Sequence, residues 1–166
     1  QSWLTSLKWD GTPRIDKWLS YYLGCEPTPY TAAIGAKFLI GCVARASHPG
    51  CKFDNMLILE GPQGILKSSC LEDLFTRQYF TDEISDFGSK DAAMQLQGAW
   101  IIEIAELDAM RGGAAIERIK AFMSRTDDRF RPPFGRTVRS FPRSCVFAGT
   151  TNSDHYLKDP SGNRRF

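Results

Sequence analysis

Histidine is scarce in this chain, paired cysteines are missing, and no apolar run is long; each shortage closes off a class of function. The two histidines, His48 and His155, stand in loop-like sequence without matching ligands, so neither reads as catalytic or metal-binding. Five cysteines (Cys25, Cys42, Cys51, Cys70, Cys145) are odd in number and include no C-x-x-C pair. That pattern argues against a disulfide framework and against a zinc site, and suits reduced, mostly buried thiols in a cytoplasmic protein. The longest apolar stretches, such as Ile34 to Val43, are broken by Lys37 and Gly41 and are too short to span a bilayer. No secretory leader opens the chain. A surplus of one charge is lacking too: the net charge is +2, so any nucleic-acid partner has to be argued from local clustering. There is no internal repeat and no low-complexity segment.

What is present is enough for one folded domain: 166 residues, 42% apolar and 12% aromatic. The abrupt start at Gln1 and the stop at Phe166 read as cut points in a longer protein. Thr12-Pro13 to Gly24 has a capping residue, a first-turn proline, apolar Ile15, Trp18, Leu19 and Leu23, and a glycine stop, which predicts a helix. Pro29 to Ala46 predicts a second, ending before His48-Pro49-Gly50. Beyond residue 52 the grammar changes. Short apolar runs (Met56 to Leu59, Gln78 to Thr81, Trp100 to Ala105, Cys145 to Ala148) alternate with helical stretches (Lys67 to Leu74, Asp91 to Gln97, Ala114 to Arg125). The expectation is α/β: a largely parallel sheet flanked by helices over residues 53–166, preceded by a small helical subdomain over 1–52.

The first expected strand runs into Gly61-Pro62-Gln63-Gly64-Ile65-Leu66-Lys67-Ser68-Ser69 and then a helix, the context in which a glycine-rich loop cradles phosphates. Lys67 would reach the β- and γ-phosphates of ATP and Ser68 would ligate Mg2+. Against G-x-x-x-x-G-K-[ST], Leu66 stands where the second glycine belongs, in a turn that normally wants no side chain. An ordinary turn capped by Ser68 is the bland alternative. The third expected strand carries Glu103 at its centre and Glu106 and Asp108 beyond. Acids there suit a cation or an attacking water. Glu106 is the first choice, Glu103 the second and Asp108 the third, with simple solvation of a strand end as the alternative. The fourth strand ends in Thr150-Thr151-Asn152, making Asn152 the candidate to sense a γ-phosphate. Arg164 and Arg165 could stabilise phosphate charge in a neighbouring subunit.

Between these strands, six arginines interleave with three phenylalanines from Arg125 to Arg143. Arg129, Arg131, Phe134, Arg136 and Arg139 are the candidates for single-stranded DNA, whose backbone attracts cations and whose bases stack on rings. Pro132-Pro133-Phe134-Gly135 reads as the turn of a projecting hairpin. The alternative is a structural loop whose arginines pair with Glu103, Asp127, Asp128 or another subunit.

The ordered set Gly61-Pro62-Gln63-Gly64, Lys67-Ser68, Glu103-Ile104-Ala105-Glu106-Leu107, Arg131-Pro132-Pro133-Phe134-Gly135-Arg136, Gly149-Thr150-Thr151-Asn152 and Gly162-Asn163-Arg164-Arg165-Phe166 resembles the virulence-associated protein E family. That family is similar to superfamily-three helicases and to the ATPase part of phage and poxvirus primase-helicases. Upstream, Trp9-Asp10-Gly11, Pro13-Arg14, Pro49-Gly50, Lys52 and Asp54 extend the likeness over nearly the whole chain. The resemblance implies a P-loop ATPase of the ASCE type, working as a homo-oligomeric ring on phage or mobile-element DNA in a bacterial host. It matches Lys67 and Ser68 to the Walker A pair, Glu106 with Glu103 to the Walker B acids, and Asn152 to the sensor. Arg164 or Arg165 then falls at the finger position, the Arg131 to Arg143 region at the DNA-contacting hairpin, and a fifth core strand is missing. Leu66 departs from the pattern and bears on nucleotide turnover.

Overall fold

Side-chain hydrogen bonds decide where the first helices begin. The computed structural model describes residues 2–84, 86–87, 89–105 and 113–152. A short helix α1 (Ser2–Ser6), unmarked by any sequence signal, opens it. Asp10 then accepts from the Thr12 amide at 2.9 Å and from both arms of the Arg14 guanidinium at 2.9 and 2.8 Å. This local network offers the backbone an alternative to helix. The helix expected from Thr12 is therefore only α2 (Trp18–Leu23), ended by left-handed Gly24.

Helix α3 (Pro29–Ser47) forms as its sequence predicts. Thr28 and Thr31 cap each other's backbone reciprocally and Pro29 opens the first turn. Its buried stripe is Gly35, Phe38, Gly41, Cys42 and Arg45, at three- and four-residue spacing. Gly41 is needed for close approach: a Cβ there would lie 2.2 Å from the Phe53 ring.

The remaining elements are β1 (Met56–Glu60), α4 (Lys67–Phe75), the 3-10 turn η1 (Arg77–Tyr79), β2 (Phe80–Thr81), α5 (Lys90–Gln95), β3 (Ile101–Ile104), α6 (Gly113–Met123), β4 (Asp127–Phe130), β5 (Arg139–Pro142) and β6 (Val146–Thr151). The four expected core strands form one sheet in the order β1-β6-β3-β2, every pairing parallel. Strands β1 and β3 differ from expectation by no more than one residue at either end, and β2 and β6 by more. Residues 77–79 close a tight turn, so β2 keeps only two residues, whereas β6 runs on to Thr151 because β1 pairs with it as far as Glu60, beyond the last β3 partner at Gly149.

Alternation along the strands sorts the core into two layers. Leu57, Leu59, Ile101, Val146 and Ala148 pack under Trp18, Leu19, Phe38, Cys42, Leu71 and Phe75 of α2, α3 and α4. Met56, Ile102, Ile104 and Phe147 pack under Ala92 of α5 and Ile119, Phe122 and Met123 of α6. Strands β4 and β5 form a separate antiparallel hairpin.

Candidate functional site

In a parallel sheet all strands end on the same edge, where ligands of α/β proteins bind. Here that edge gathers the loop after β1, the acid of β3 and the polar end of β6. Strand β6 lies between β1 and β3, so Asn152 emerges between the loop and the acidic strand.

The loop turns on three left-handed or glycine-only residues: Gly61 (φ 154°), Gly64 (φ 86°) and Leu66 (φ 63°, ψ 33°). Leu66 adopts the backbone a glycine would supply, and stands at the N-cap of α4 without a side-chain cap. The first amides of α4 therefore have no acceptor in the helix or the cap, which favours an anion. Lys67 leads the helix, and its ammonium donates to the carbonyls of Gly61 (2.6 Å) and Pro62 (2.9 Å) and to Oδ1 of Asn152 (2.9 Å). The loop and the end of β6 are thus joined through one cation.

Alternation places Glu103 of β3 and Thr150 of β6 on the face that carries α4. Oε1 of Glu103 accepts from the Ser68 hydroxyl at 2.7 Å and from the Thr150 hydroxyl at 2.6 Å. Glu103 is 1% exposed, and its Oε2 is buried with no hydrogen-bond partner. A buried polar oxygen left unpaired is costly. Among the described residues no cluster of three or more His, Cys, Asp or Glu side chains forms. In the first turn of α4, burial and then the nearby Asp73 charge raise the Cys70 thiol pKa.

The structure brings Lys67, Ser68, Glu103 and Asn152 to one edge. Thr150 joins them without having been singled out: a period of two assigns it a face of β6, and the register of β6 against β3 makes that the face of Glu103. Glu106, Asp108, Arg164 and Arg165 lie outside the described residues.

The basic segment folds as the expected hairpin. Arg129, Arg131, Phe134, Arg136 and Arg139 are all exposed. Its tip is the turn Pro132 to Gly135, closed by the Gly135 amide on the Pro132 carbonyl at 2.9 Å. Phe134 stands there fully in solvent with φ 62°. Register pairs Arg129 with Ser140 and Phe130 with Arg139, so Arg129 and Arg139 occupy opposite faces of the ribbon. The root is fixed by Arg143, whose guanidinium binds Asp128 through two bonds, both side chains 1% exposed, and lies 4.6 Å from the Phe122 ring centroid. Buried Arg45 donates to the carbonyls of Arg143 and Phe53, tying the root to α3. The structural role anticipated for some of these arginines falls to Arg143.

A family described as virulence-associated protein E-like domain matches residues 4–166. Among solved structures, the apo structure of the NrS-1 C terminal region (305-718) superposes with a TM-score of 0.56 at 17% identity, covering 93% of this chain and 37% of that one. The A form apo structure of the same region gives 0.52 at 16% identity, covering 93% and 36%. This chain thus spans little more than a third of these neighbours, and the likeness is one of fold. No curated protein matches.

Proposed function

The chain belongs to the virulence-associated protein E-like domain family, and from that premise we propose that it is the ATP- and Mg2+-using core of a DNA helicase or translocase. Its role would be replication of phage or mobile-element DNA in a bacterial cytoplasm. The observation that carries this reading is the meeting of Lys67, Ser68, Glu103 and Asn152 at the edge where β1, β3 and β6 end. In this reading the sheet and its loop are a P-loop NTPase core.

Lys67 now holds three neutral oxygens, and a phosphate offers it a stronger, charge-assisted partner. Moving to phosphate frees Asn152 to face the γ-phosphate or orient water. Glu103 fits a magnesium ion: a hard oxygen without a partner sits beside the Ser68 hydroxyl, and phosphate oxygens and water would complete the shell. When bound, the ion supplies neutralisation of charge on the transferring phosphate. Glu103, the acid in contact with Ser68, takes the metal role first given to Glu106, and Glu106 remains the proposed acid for the attacking water. Arg164 or Arg165 would serve a neighbouring subunit in a ring. The exposed hairpin, with Phe134 at its tip, would meet single-stranded DNA.

The test is Mg2+-dependent ATP hydrolysis with and without single-stranded DNA. DNA should stimulate it, and Lys67→Ala should reduce it by at least about tenfold. A smaller loss counts against the proposal.

One observation favours a second reading, a DNA-binding or scaffold module whose nucleotide site no longer turns over: Leu66 strains the loop where the motif has glycine. Salt-sensitive DNA binding without ATP binding would select that reading.

A further inference from the structure

We infer that Thr150 is a positioning residue for the metal: its hydroxyl anchors one oxygen of the Glu103 carboxylate to the sheet, so that the other, Oε2, is the oxygen left to the divalent ion that accompanies ATP. The inference rests on the reading of Ser68 and Glu103 as the magnesium site.

The ladder is the first argument. Glu103 of β3 stands opposite Ala148 of β6, and Thr150 is the next residue of β6 on that face. Ala148 is small and fully buried, so the carboxylate can lie along β6 as far as the Thr150 hydroxyl, which donates to Oε1 at 2.6 Å. Thr150 is itself 5% exposed and is held opposite Leu59 in the pairing of β6 with β1.

Proton accounting is the second. A hydroxyl has one proton to donate and two lone pairs. Ser68 and Thr150 both commit that proton to Oε1, and among the described residues nothing donates to Oε2. The carboxylate is thereby divided: one oxygen takes both hydrogen bonds and the other is kept for a cation. Ser68, its proton committed, still has lone pairs for the same ion.

The two anchors are not equivalent, which is the third argument. Ser68 lies in the first turn of α4, directly after the phosphate loop, and is a proposed ligand in its own right. Thr150 lies on a strand, is β-branched and therefore stiff about its first torsion, and of the two is the one that ties the acid to the sheet. A threonine that merely satisfied a buried acid would affect stability and leave the ion alone.

The experiment titrates Mn2+, an oxygen-seeking stand-in for Mg2+, into the ATP-saturated chain and follows water-proton relaxation, which reports ion held by the protein. ATP affinity in chelator is measured beside it by calorimetry. Thr150→Val should weaken Mn2+ by about tenfold or more, as loss of a hydrogen-bond partner of a metal ligand does, and leave ATP affinity in chelator unchanged. Thr150→Ser, which restores the hydroxyl, should return Mn2+ affinity to within about threefold. In a Glu103→Gln background, Thr150→Val should cost no more than about twofold, because the group it positions has already lost its charge. Thr150→Ala asks the same question should the added methyl of valine not fit. If removing the hydroxyl leaves Mn2+ affinity intact, the positioning role is overturned and the magnesium reading stands. An equal loss with serine and valine, or an undiminished loss beside Glu103→Gln, also overturns it, since Thr150 would then act by packing. If the unaltered chain binds ATP but holds no Mn2+, both readings fall.

Discussion

Leu66 holds a left-handed backbone that costs a residue with a side chain about 1–2 kcal/mol, and at 70% exposure it recovers little of that through burial. Glycine would remove the strain but add about 0.5–1 kcal/mol of backbone entropy to the unfolded chain. The balance predicts that Leu66→Gly stabilises the protein by up to about 1 kcal/mol, a rise in Tm on the order of 2–4 °C for a chain of this size. Nucleotide affinity should rise with it, since the loop would reach its phosphate-cradling shape without strain. Thermal melting and an ATP titration check both; a lower Tm would mean that apolar contacts of Leu66 outweigh its backbone strain. The same residue marks how far the sequence could be read. Lys67, Ser68 and Asn152 were legible from loop and strand grammar, because chain order alone puts them at strand ends. The pairing of Glu103 with Thr150 and Ser68 was legible only in part. A period of two assigns Glu103 and Thr150 to faces, but whether those faces coincide depends on the register of β3 against β6, which arises from long-range pairing.

Among the elements, the β4–β5 hairpin separates stability from contact most sharply. At its root Asp128 and Arg143 are an almost fully buried ion pair, and Asp128→Ala would leave the guanidinium buried without its counter-charge. The expected loss is about 3–5 kcal/mol, visible as a lower midpoint in urea. At its tip Phe134 touches solvent on all sides, so Phe134→Ala should change stability by less than about 0.5 kcal/mol. If the ring stacks on bases, the same change weakens single-stranded DNA binding by about 1–3 kcal/mol. A root variant that melts normally, or a tip variant that binds DNA unchanged, would contradict these assignments. The Pro-Pro-Phe-Gly turn made the hairpin readable. The division of labour among its arginines was not, because it is set by the packing of Arg143 on Phe122 and by Arg45, 98 residues away in sequence. Helix α2 was over-extended for a similar reason: the Asp10 network, a side-chain effect, overrides an apolar pattern that otherwise predicts helix from Thr12.

For the molecule as a whole, the question is whether the N-terminal helices are a unit of their own, as the change of grammar near residue 52 suggested. Trp18, Leu19, Phe38 and Cys42 share one core with Leu57, Leu59, Ile101, Val146 and Ala148. Polar bonds cross the same boundary: the Trp100 indole donates to the Cys42 carbonyl at 2.8 Å, and Arg45 to Phe53 and Arg143. Opening the helical layer alone would expose one face of the sheet and strand those groups, so the layer and the sheet should open together. Two thiols report on this, Cys42 beneath α3 and Cys145 in the layer against α5 and α6, both 1% exposed. Burial raises both pKa values, Cys145 from 9.0 to about 12, so native thiolate is scarce and labelling requires opening. Because the folded state keeps these protons longer than the unfolded chain, their contribution to stability is complete below about pH 9 and declines as pH climbs toward 12. At neutral pH, variants retaining only Cys42 or only Cys145 should react with a thiol reagent at rates governed by the same opening, with the same steep dependence on denaturant. Faster reaction of Cys42 with a shallow dependence would show instead that residues 1–52 unfold by themselves while the sheet stays closed.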